Sequence, residues 1–187
     1  MPAPPPVTSA TLPVRSVCIN PEDTLLSKRL GKCIVIQNTE RGGSLSRCLE
    51  RSGRSAVAML LQNEGELCLL RRSSLVASDR GRWHCVTGYL DSRDDPAAHV
   101  LIELGEETGL SRLDLADLLE GPVLSLSGGD GVWTVHVFVA TTLHRRIRLN
   151  WEHEDVCWTP WSRAGEGGRE LVSWLPVLVA ESLLNCT

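Results

Sequence analysis

The spacing of hydrophobic and polar residues predicts strands that alternate with single helices along most of this chain. From residue 55 onward, AVAMLLQ and LCLLRR form a strand pair joined by the four residues NEGE, a hairpin pattern. WHCVTGYL predicts a third strand, and the apolar positions of residues 96–109 recur at helical spacing. SRLDLADLLEG predicts a short amphipathic segment. Three more strands are predicted at PVLSLS, VWTVHVFVATT and RIRLNW.

The C-terminal part of the chain continues this alternation. CWTPW is strand-like and aromatic, and ELVSWLPVLVAESLL predicts a closing helix that is kinked or started at Pro176. Strands followed by single helices in this order predict an α/β domain, a mixed sheet with helices on its faces. Residues 55–187 form this predicted domain. Residues 1–13 are proline-rich and predict a disordered leader, whereas the pattern of residues 14–54 predicts no definite structure for that extension.

Composition narrows the class of protein. A chain of 187 residues with 42% apolar residues can bury one sizeable core. The formal net charge is -4 and the basic residues are scattered, so the chain lacks the basic patch of a protein that binds long nucleic acid. The seven cysteines are dispersed and lack C-x-x-C spacing, which predicts reduced thiols in a cytoplasmic protein. No apolar run approaches the roughly 20 residues that span a bilayer, so we expect no membrane association.

The helix predicted at residues 96–109 carries an unusual cluster of acidic residues. On a helical wheel, Glu106 and Glu107 fall within roughly 60° on either side of Glu103, so the three carboxylates share one face. Like charges at this spacing cost about 0.2–0.5 kcal/mol per pair, and Gly105 inside the helix costs about 1 kcal/mol more. A helix with a purely structural role has little reason to accept both penalties.

Two interpretations account for the acidic cluster. The simpler one is a solvated acidic helix face. The other is a binding site for a hard divalent cation, because Mg²⁺ and Mn²⁺ prefer carboxylate oxygens and commonly bridge protein carboxylates to substrate phosphates. The residues around the cluster favour the second interpretation.

Residues 88–110 resemble the signature of the Nudix hydrolases, G-x5-E-x7-R-E-U-x-E-E-x-G-U, where U is aliphatic. Two positions depart from it, since Asp94 replaces a glutamate and Ile102 replaces the arginine. The segment L149-N-W-E-H-E-D-V-C-W158 is similar to a downstream segment of the same family. The resemblance implies a Nudix-type α/β/α sandwich with a mixed sheet. The signature positions that match without a gap are Gly88, Glu103, Leu104, Glu106, Glu107, Gly109 and Leu110.

The resemblance also implies a reaction and its ligands. Nudix enzymes hydrolyse a nucleoside diphosphate linked to another moiety X, or a nucleoside triphosphate, with Mg²⁺ and alternatively Mn²⁺. By resemblance Glu103, Glu106, Glu107 and Glu152 are the metal ligands, and Glu103 and Glu106 are the first candidates for catalytic proton transfer. Glu152, Glu154 and Asp155 remain open as the general base. The implied partner is a small nucleoside diphosphate derivative, and a homodimer stays open.

Ile102 bears on how well such a site would work. The arginine at this position normally orients the carboxylates by charge-assisted hydrogen bonds. Its loss predicts a turnover or metal affinity reduced about 10- to 100-fold, unless Arg93, Arg112 or His99 stands in. A second hypothesis is therefore a catalytically weakened domain that binds a nucleotide or regulates a partner. A third is a structural domain with a chance match.

Three further residues are candidates for substrate binding, namely Arg71, Trp83 and Gly88. The Arg71 guanidinium could grip phosphate from the end of its strand, although an edge-strand solubilising role fits equally. Trp83 could stack on a base, and Gly88 opens the signature loop. His136 is expected to be an ordinary sheet histidine. Strand alternation predicts that His153 faces away from Glu152, so it is not assigned as a ligand.

Overall fold

The computed structural model describes residues 54–128 and 131–183, so the predicted leader and nearly all of the predicted extension lie outside the described residues. Two short 3₁₀ turns cover Arg112–Asp114 and Trp161–Arg163. The strands and helices within the described ranges are β1 Arg54–Asn63, β2 Glu66–Arg72, β3 Trp83–His84, β4 Val86–Leu90, α1 Pro96–Thr108, β5 Leu115–Gly128, β6 Gly131–Thr142, β7 His153–Thr159 and α2 Leu175–Leu183.

The first hairpin turns more tightly than its sequence predicts. Asn63 pairs with Glu66, so the connection has two residues and the predicted four-residue loop is wrong. Glu64 and Gly65 have φ values of 51° and 79°. Two consecutive residues with positive φ form the turn whose twist matches that of paired strands.

Replacing Gly65 by alanine is expected to lower the free energy of unfolding by about 1 kcal/mol. No atom lies within 4 Å of a Cβ built at Gly65, so the cost comes from its φ of +79° and not from a clash. Urea denaturation of the two proteins measures the difference. Alanine at Gly165, which has open space and no positive φ, is the control. Equal losses at both positions would show that the turn imposes no strain.

Strand β1 lies at the centre of the sheet and is shared by three neighbours. It runs parallel to β6 and antiparallel to β4 and β2. Strand β4 pairs with the first half of β1, and β2 pairs with the last two residues of β1 and, further along, with β3. Strand β7 pairs with the other edge of β2, since Leu67 pairs with both β1 and β7. Strand β5 closes the other edge by pairing with β6. One edge of β1 is therefore paired with β4 over its first half and with β2 at its end.

Alternation along β1 divides the core between the two faces of the sheet. Ala58 and Leu60 face a cluster that includes Leu175, Leu178 and Val179 of α2. Val57, Met59 and Leu61 face the opposite cluster, which includes Val100 and Leu104 of α1. Each helix thus covers one face of the mixed sheet. The predicted α/β/α sandwich is confirmed.

Two predicted elements differ from the structure. In SRLDLADLLEG only Arg112–Asp114 is helical, and β5 begins at Leu115 and continues through PVLSLS. The strand continues past Pro122, which has no N–H to donate, because the register shifts between Glu120 and Val123 as it does at a bulge in an edge strand.

RIRLNW was predicted as a strand but is irregular. Its Arg148 N–H donates to the Thr108 carbonyl at 2.8 Å, so the segment is tied to the end of α1 and not to the sheet. Strand β7 starts at His153, earlier than CWTPW predicted, whereas α2 begins at Leu175 with Pro176 in its first turn, as predicted. No helix in the described residues has the length and hydropathy of a membrane span.

Candidate metal and active site

Helix α1 begins and ends where its sequence predicts. The Asp95 side chain accepts a hydrogen bond from the Ala98 N–H at 2.9 Å, and Pro96 follows as the first helical residue. At the other end Gly109 adopts φ 71° and its N–H donates to the Gly105 carbonyl. These two caps fix the length of the helix that carries the glutamates.

Glu107 is a carboxylate in the protein interior. It is 2% exposed, and its Oε2 accepts a hydrogen bond from the Thr87 N–H of β4 at 3.4 Å. Burial raises its pKa well above the ordinary value, and Glu103 and Glu152 raise it further, whereas the Thr87 N–H and Arg72 oppose the shift only in part. The ionised form of Glu107 is therefore disfavoured, first by burial and then by the neighbouring carboxylates.

Glu103 packs against the backbone of β4 at Gly88. A Cβ built on Gly88 would come closer than 3.0 Å to the Oε1, Cδ and Cγ atoms of Glu103, so only glycine leaves room for this carboxylate. Burial raises the pKa of Glu103, and the nearby Glu106 and Glu152 raise it as well. Gly88 is thus part of the glutamate site through its missing side chain.

His99 is the basic side chain that the structure brings to the cluster. Its Nε2 lies 3.1 Å from Oε1 of Glu103, and its Nδ1 lies 3.8 Å from Oδ2 of Asp94. This contact lowers the pKa of Glu103 against the effect of burial. Of the three suggested substitutes for the missing arginine, His99 is therefore the one in contact with a signature glutamate. Ile102 itself is 54% exposed, so it lies off the buried face of α1.

Glu152 reaches the cluster from a turn before β7. Its N–H donates to Asn150 Oδ1 at 3.0 Å, and its carbonyl accepts from the Ser73 N–H at 2.7 Å. The Ser73 hydroxyl also donates to the Trp151 carbonyl at 2.9 Å. These bonds attach the turn to the end of β2. Glu152 in turn raises the pKa of Glu103 and Glu107, and Glu106 raises that of Glu103, so the four predicted metal ligands form one electrostatic group.

Two histidines that the sequence did not single out as site residues lie beside this group. His84 is fully buried, its Nε2 is 2.8 Å from Nε2 of His153, and the two rings stack with centroids 5.0 Å apart. Burial lowers the pKa of both rings, that of His153 to about 4. The alternation argument for His153 does not apply, because Glu152 precedes β7 and only His153 is in the strand.

Two of the three residues predicted to bind substrate, Trp83 and Arg71, make their contacts with residues other than the four predicted metal ligands. Trp83 is 8% exposed and belongs to the core cluster on the α2 face. Arg71 donates from Nε to the Gly81 carbonyl and lies 3.3 Å from Oε1 of Glu154. A register shift between Arg71 and Arg72 changes the alternation there, and Arg72 is the arginine that acts on the pKa of Glu107.

The side-chain chemistry of the cluster fits a divalent cation. As they stand, no three His, Cys, Asp or Glu side chains within 54–128 and 131–183 converge closely enough to form a preset metal cage. The donors are nevertheless carboxylates, and the pKa of one of them, Glu107 at 2% exposed, is raised by burial and then by two other carboxylates. A hard cation would remove that repulsion and turn it into binding.

A comparison with known protein families identifies the family to which this chain belongs. The model of the NUDIX domain matches residues 51–175, which is more than half of the chain. The chain belongs to the NUDIX domain family. Membership confirms the predicted class of enzyme, a hydrolase acting on phosphoric anhydrides. No curated protein matches the chain.

Solved structures of this family share the fold. The NUDIX domain of Shewanella oneidensis NrtR, complexed with ADP ribose, is 16% identical with a TM-score of 0.59, over 70% of this chain and 86% of that domain. MutT protein from Methanosarcina mazei Go1 is 23% identical with a TM-score of 0.57, over 70% and 92%. A bifunctional NMN adenylyltransferase/ADP ribose pyrophosphatase from Francisella tularensis, complexed with AMP and a Mn ion, is 16% identical with a TM-score of 0.55, over 72% and 42%.

Proposed function

We propose that this NUDIX domain is a divalent-cation-dependent pyrophosphohydrolase. Its substrate would be a nucleoside diphosphate linked to another moiety X, or a nucleoside triphosphate. Mg²⁺ would be the natural cation and Mn²⁺ would substitute. The ADP ribose, AMP and Mn ion held by the related structures support this class of ligand without defining X for this chain.

One observation carries the proposal. Glu107 is 2% exposed, and the pKa of this carboxyl is raised by burial, by Glu103 and by Glu152. A side chain intended only to fill the core would be apolar, since an ionised carboxylate is costly to bury without a paired charge. A bound cation provides that charge. The cluster is therefore better explained as a cation site than as a solvated acidic face.

The four glutamates would divide the work of the site. Glu103 and Glu107 would hold the cation from α1, with Glu106 and Glu152 completing its shell directly or through water. When bound, such a cation neutralises charge on the bridging phosphates and lowers the pKa of bound water. Either Glu103 or Glu106 would accept the one proton that the attacking water loses. The Thr87 N–H holds Glu107 and Gly88 leaves room for Glu103, so the backbone of β4 positions both carboxylates.

Ile102 is the reason to retain the second hypothesis, in which the domain is catalytically weakened and binds a nucleotide or regulates a partner. An isoleucine that is 54% exposed gives no hydrogen bond to the carboxylates where the family signature has arginine. His99, 3.1 Å from Glu103, offers a partial replacement. The two hypotheses differ in one measurable result, because a binding module would retain nucleotide affinity without releasing product.

Restoring the arginine is expected to improve the enzyme. In Ile102→Arg a guanidinium would lie one turn before Glu106 on the exposed side of α1, where charge-assisted hydrogen bonds orient carboxylates. We expect kcat/KM to rise about 10-fold, the scale of an outer-shell contact, with a smaller Mg²⁺ requirement. Initial rates over a Mg²⁺ series measure both. Ile102→Lys is the control, because lysine restores the charge without the planar fork. An unchanged rate in both variants would mean that His99 already fills this role.

The proposed function is tested with a panel of substrates. Nucleoside triphosphates, nucleotide sugars, ADP ribose and dinucleoside polyphosphates would be incubated with Mg²⁺, Mn²⁺ or chelator, and phosphate and nucleotide release followed. We expect at least one substrate to be cleaved only with the cation, and Glu107→Gln to abolish that cleavage. A rate that survives chelator or this substitution would overturn the assignment of the cation site.

A further inference from the structure

A chain of hydrogen bonds between side chains runs beneath the glutamates. The Thr87 hydroxyl lies 3.4 Å from Nδ1 of His84, and Nε2 of His84 lies 2.8 Å from Nε2 of His153. Nδ1 of His153 lies 3.1 Å from Oδ1 of Asn150. The chain begins at β4 and ends at the turn before β7.

The last bond fixes the direction of all the others. Asn150 Oδ1 also accepts from the Glu152 N–H, which can only donate, so this atom is the amide oxygen and His153 Nδ1 must carry the proton. The 2.8 Å contact between the two Nε2 atoms accommodates one proton, and with the proton of a neutral His153 ring on Nδ1, His153 Nε2 is left to accept. His84 then donates from Nε2, and its Nδ1 accepts from the Thr87 hydroxyl. Each imidazole is held in one tautomer.

Both ends of this series of hydrogen bonds contact the candidate cation site. Thr87 donates its backbone N–H to Glu107, and the neighbouring Gly88 lies under Glu103. At the other end Asn150 Oδ1 accepts the N–H of Glu152. Glu103 and Glu107 of α1 lie against β4, whereas Glu152 comes from the turn before β7, and β4 and β7 do not pair in the sheet. The histidine pair is therefore a direct side-chain bridge between the two sides of the site.

We propose that His84 and His153 are positioning residues that set the separation between the α1 glutamates and Glu152, and so tune cation affinity. Neither ring is among the proposed cation ligands. The bridge acts through a fixed order of donors and acceptors. An apolar side chain of similar size at position 84 would fill the space, but without the hydrogen bonds it would no longer fix the distance between the α1 glutamates and Glu152. This inference rests on the proposed function, because it concerns the same cation site.

The tautomers can be tested in the unmodified protein. Long-range ¹⁵N–¹H correlation spectra of the full chain at neutral pH assign the protonated nitrogen of each imidazole. We expect His84 to be protonated at Nε2 and His153 at Nδ1. Rapid tautomer averaging in either ring, or the opposite assignment, would overturn the proposal whether or not any variant folds.

Cation affinity tests the positioning role. Mn²⁺ binding would be measured by electron paramagnetic resonance for the wild type, His84→Gln and His84→Phe. We expect the Phe variant to bind Mn²⁺ about 10-fold more weakly, the scale of lost outer-shell partners. The Gln variant, whose amide can still donate to His153, should recover most of the affinity. Val179→Ala, which opens a cavity on the α2 face, is the control for lost stability alone.

The possible results separate this inference from the proposed function. If the wild type binds Mn²⁺ and the Phe variant binds it equally well, the positioning role is wrong and the proposed function stands. Equal weakening in the Val179→Ala control would also overturn the role, because it would trace the effect to stability. If the wild type itself does not bind Mn²⁺, the proposed function fails and the positioning role fails with it.

Discussion

Gly88→Ala is expected to reduce cation-dependent hydrolysis by at least about 100-fold while the fold survives. The new methyl group would occupy the space of the Glu103 carboxylate, at distances below 3.0 Å from three of its atoms. Glu103 must then swing away, since the backbone of β4 is held by five paired positions on β1. Displacement of a reacting or ligating group by about 1 Å can cost a factor of 10². Substrate assays and thermal unfolding of the same preparations measure the two effects separately.

Gly105→Ala is the matched control for this prediction. It adds the same methyl group two residues after Glu103, but the nearest atom to the new Cβ is the Leu110 carbonyl oxygen at an ordinary 3.5 Å. Alanine also favours a helix over glycine, so the control should gain about 1 kcal/mol of stability. If Gly88→Ala retained the activity of the control, the close approach of Glu103 to β4 would have no part in the reaction.

The parts of the structure that were predictable from the sequence are those determined by local contacts. Helix α1 has its N-cap, its proline and its C-terminal glycine within the segment itself, so the residues that form it also define its ends. Alternation along β1 likewise predicts which residues face each helix. The spacing of Glu103, Glu106 and Glu107 along one helix determines their common face in the same way.

The parts that were not predictable depend on contacts between distant residues. His84 and His153 are 69 positions apart, and no local pattern indicates that their rings share a hydrogen bond. The shift of register between Arg71 and Arg72 depends on the pairing of β2 with β7, so the pattern within β2 alone could not indicate that Arg72 is the arginine that acts on the pKa of Glu107. RIRLNW has the composition of a strand, but its backbone bonds to the end of α1. Tertiary contacts override local preference at these positions.

Glu107→Gln is expected to abolish hydrolysis and, in the absence of cations, to make the protein more stable. The folded protein raises the pKa of this carboxyl, so the folded state holds the proton more tightly than the unfolded chain does. Below the unfolded pKa of about 4.3 the group carries no penalty. As pH rises from there toward the raised folded pKa, the wild type loses stability, and the loss persists at higher pH. A neutral amide does not titrate, so the variant avoids this loss.

Urea denaturation in chelator between pH 5 and pH 8 measures the effect. At pH 8 the variant should exceed the wild type by about 1–3 kcal/mol, and the difference should shrink toward pH 5. Mg²⁺ should stabilise the wild type more than the variant, because the amide lacks the buried charge that the cation neutralises. Glu106→Gln, at an exposed position on the same helix, should show no such gain. A stability difference that is independent of pH would mean that the buried charge of Glu107 does not destabilise the folded protein. The buried carboxylate would then no longer support a cation site.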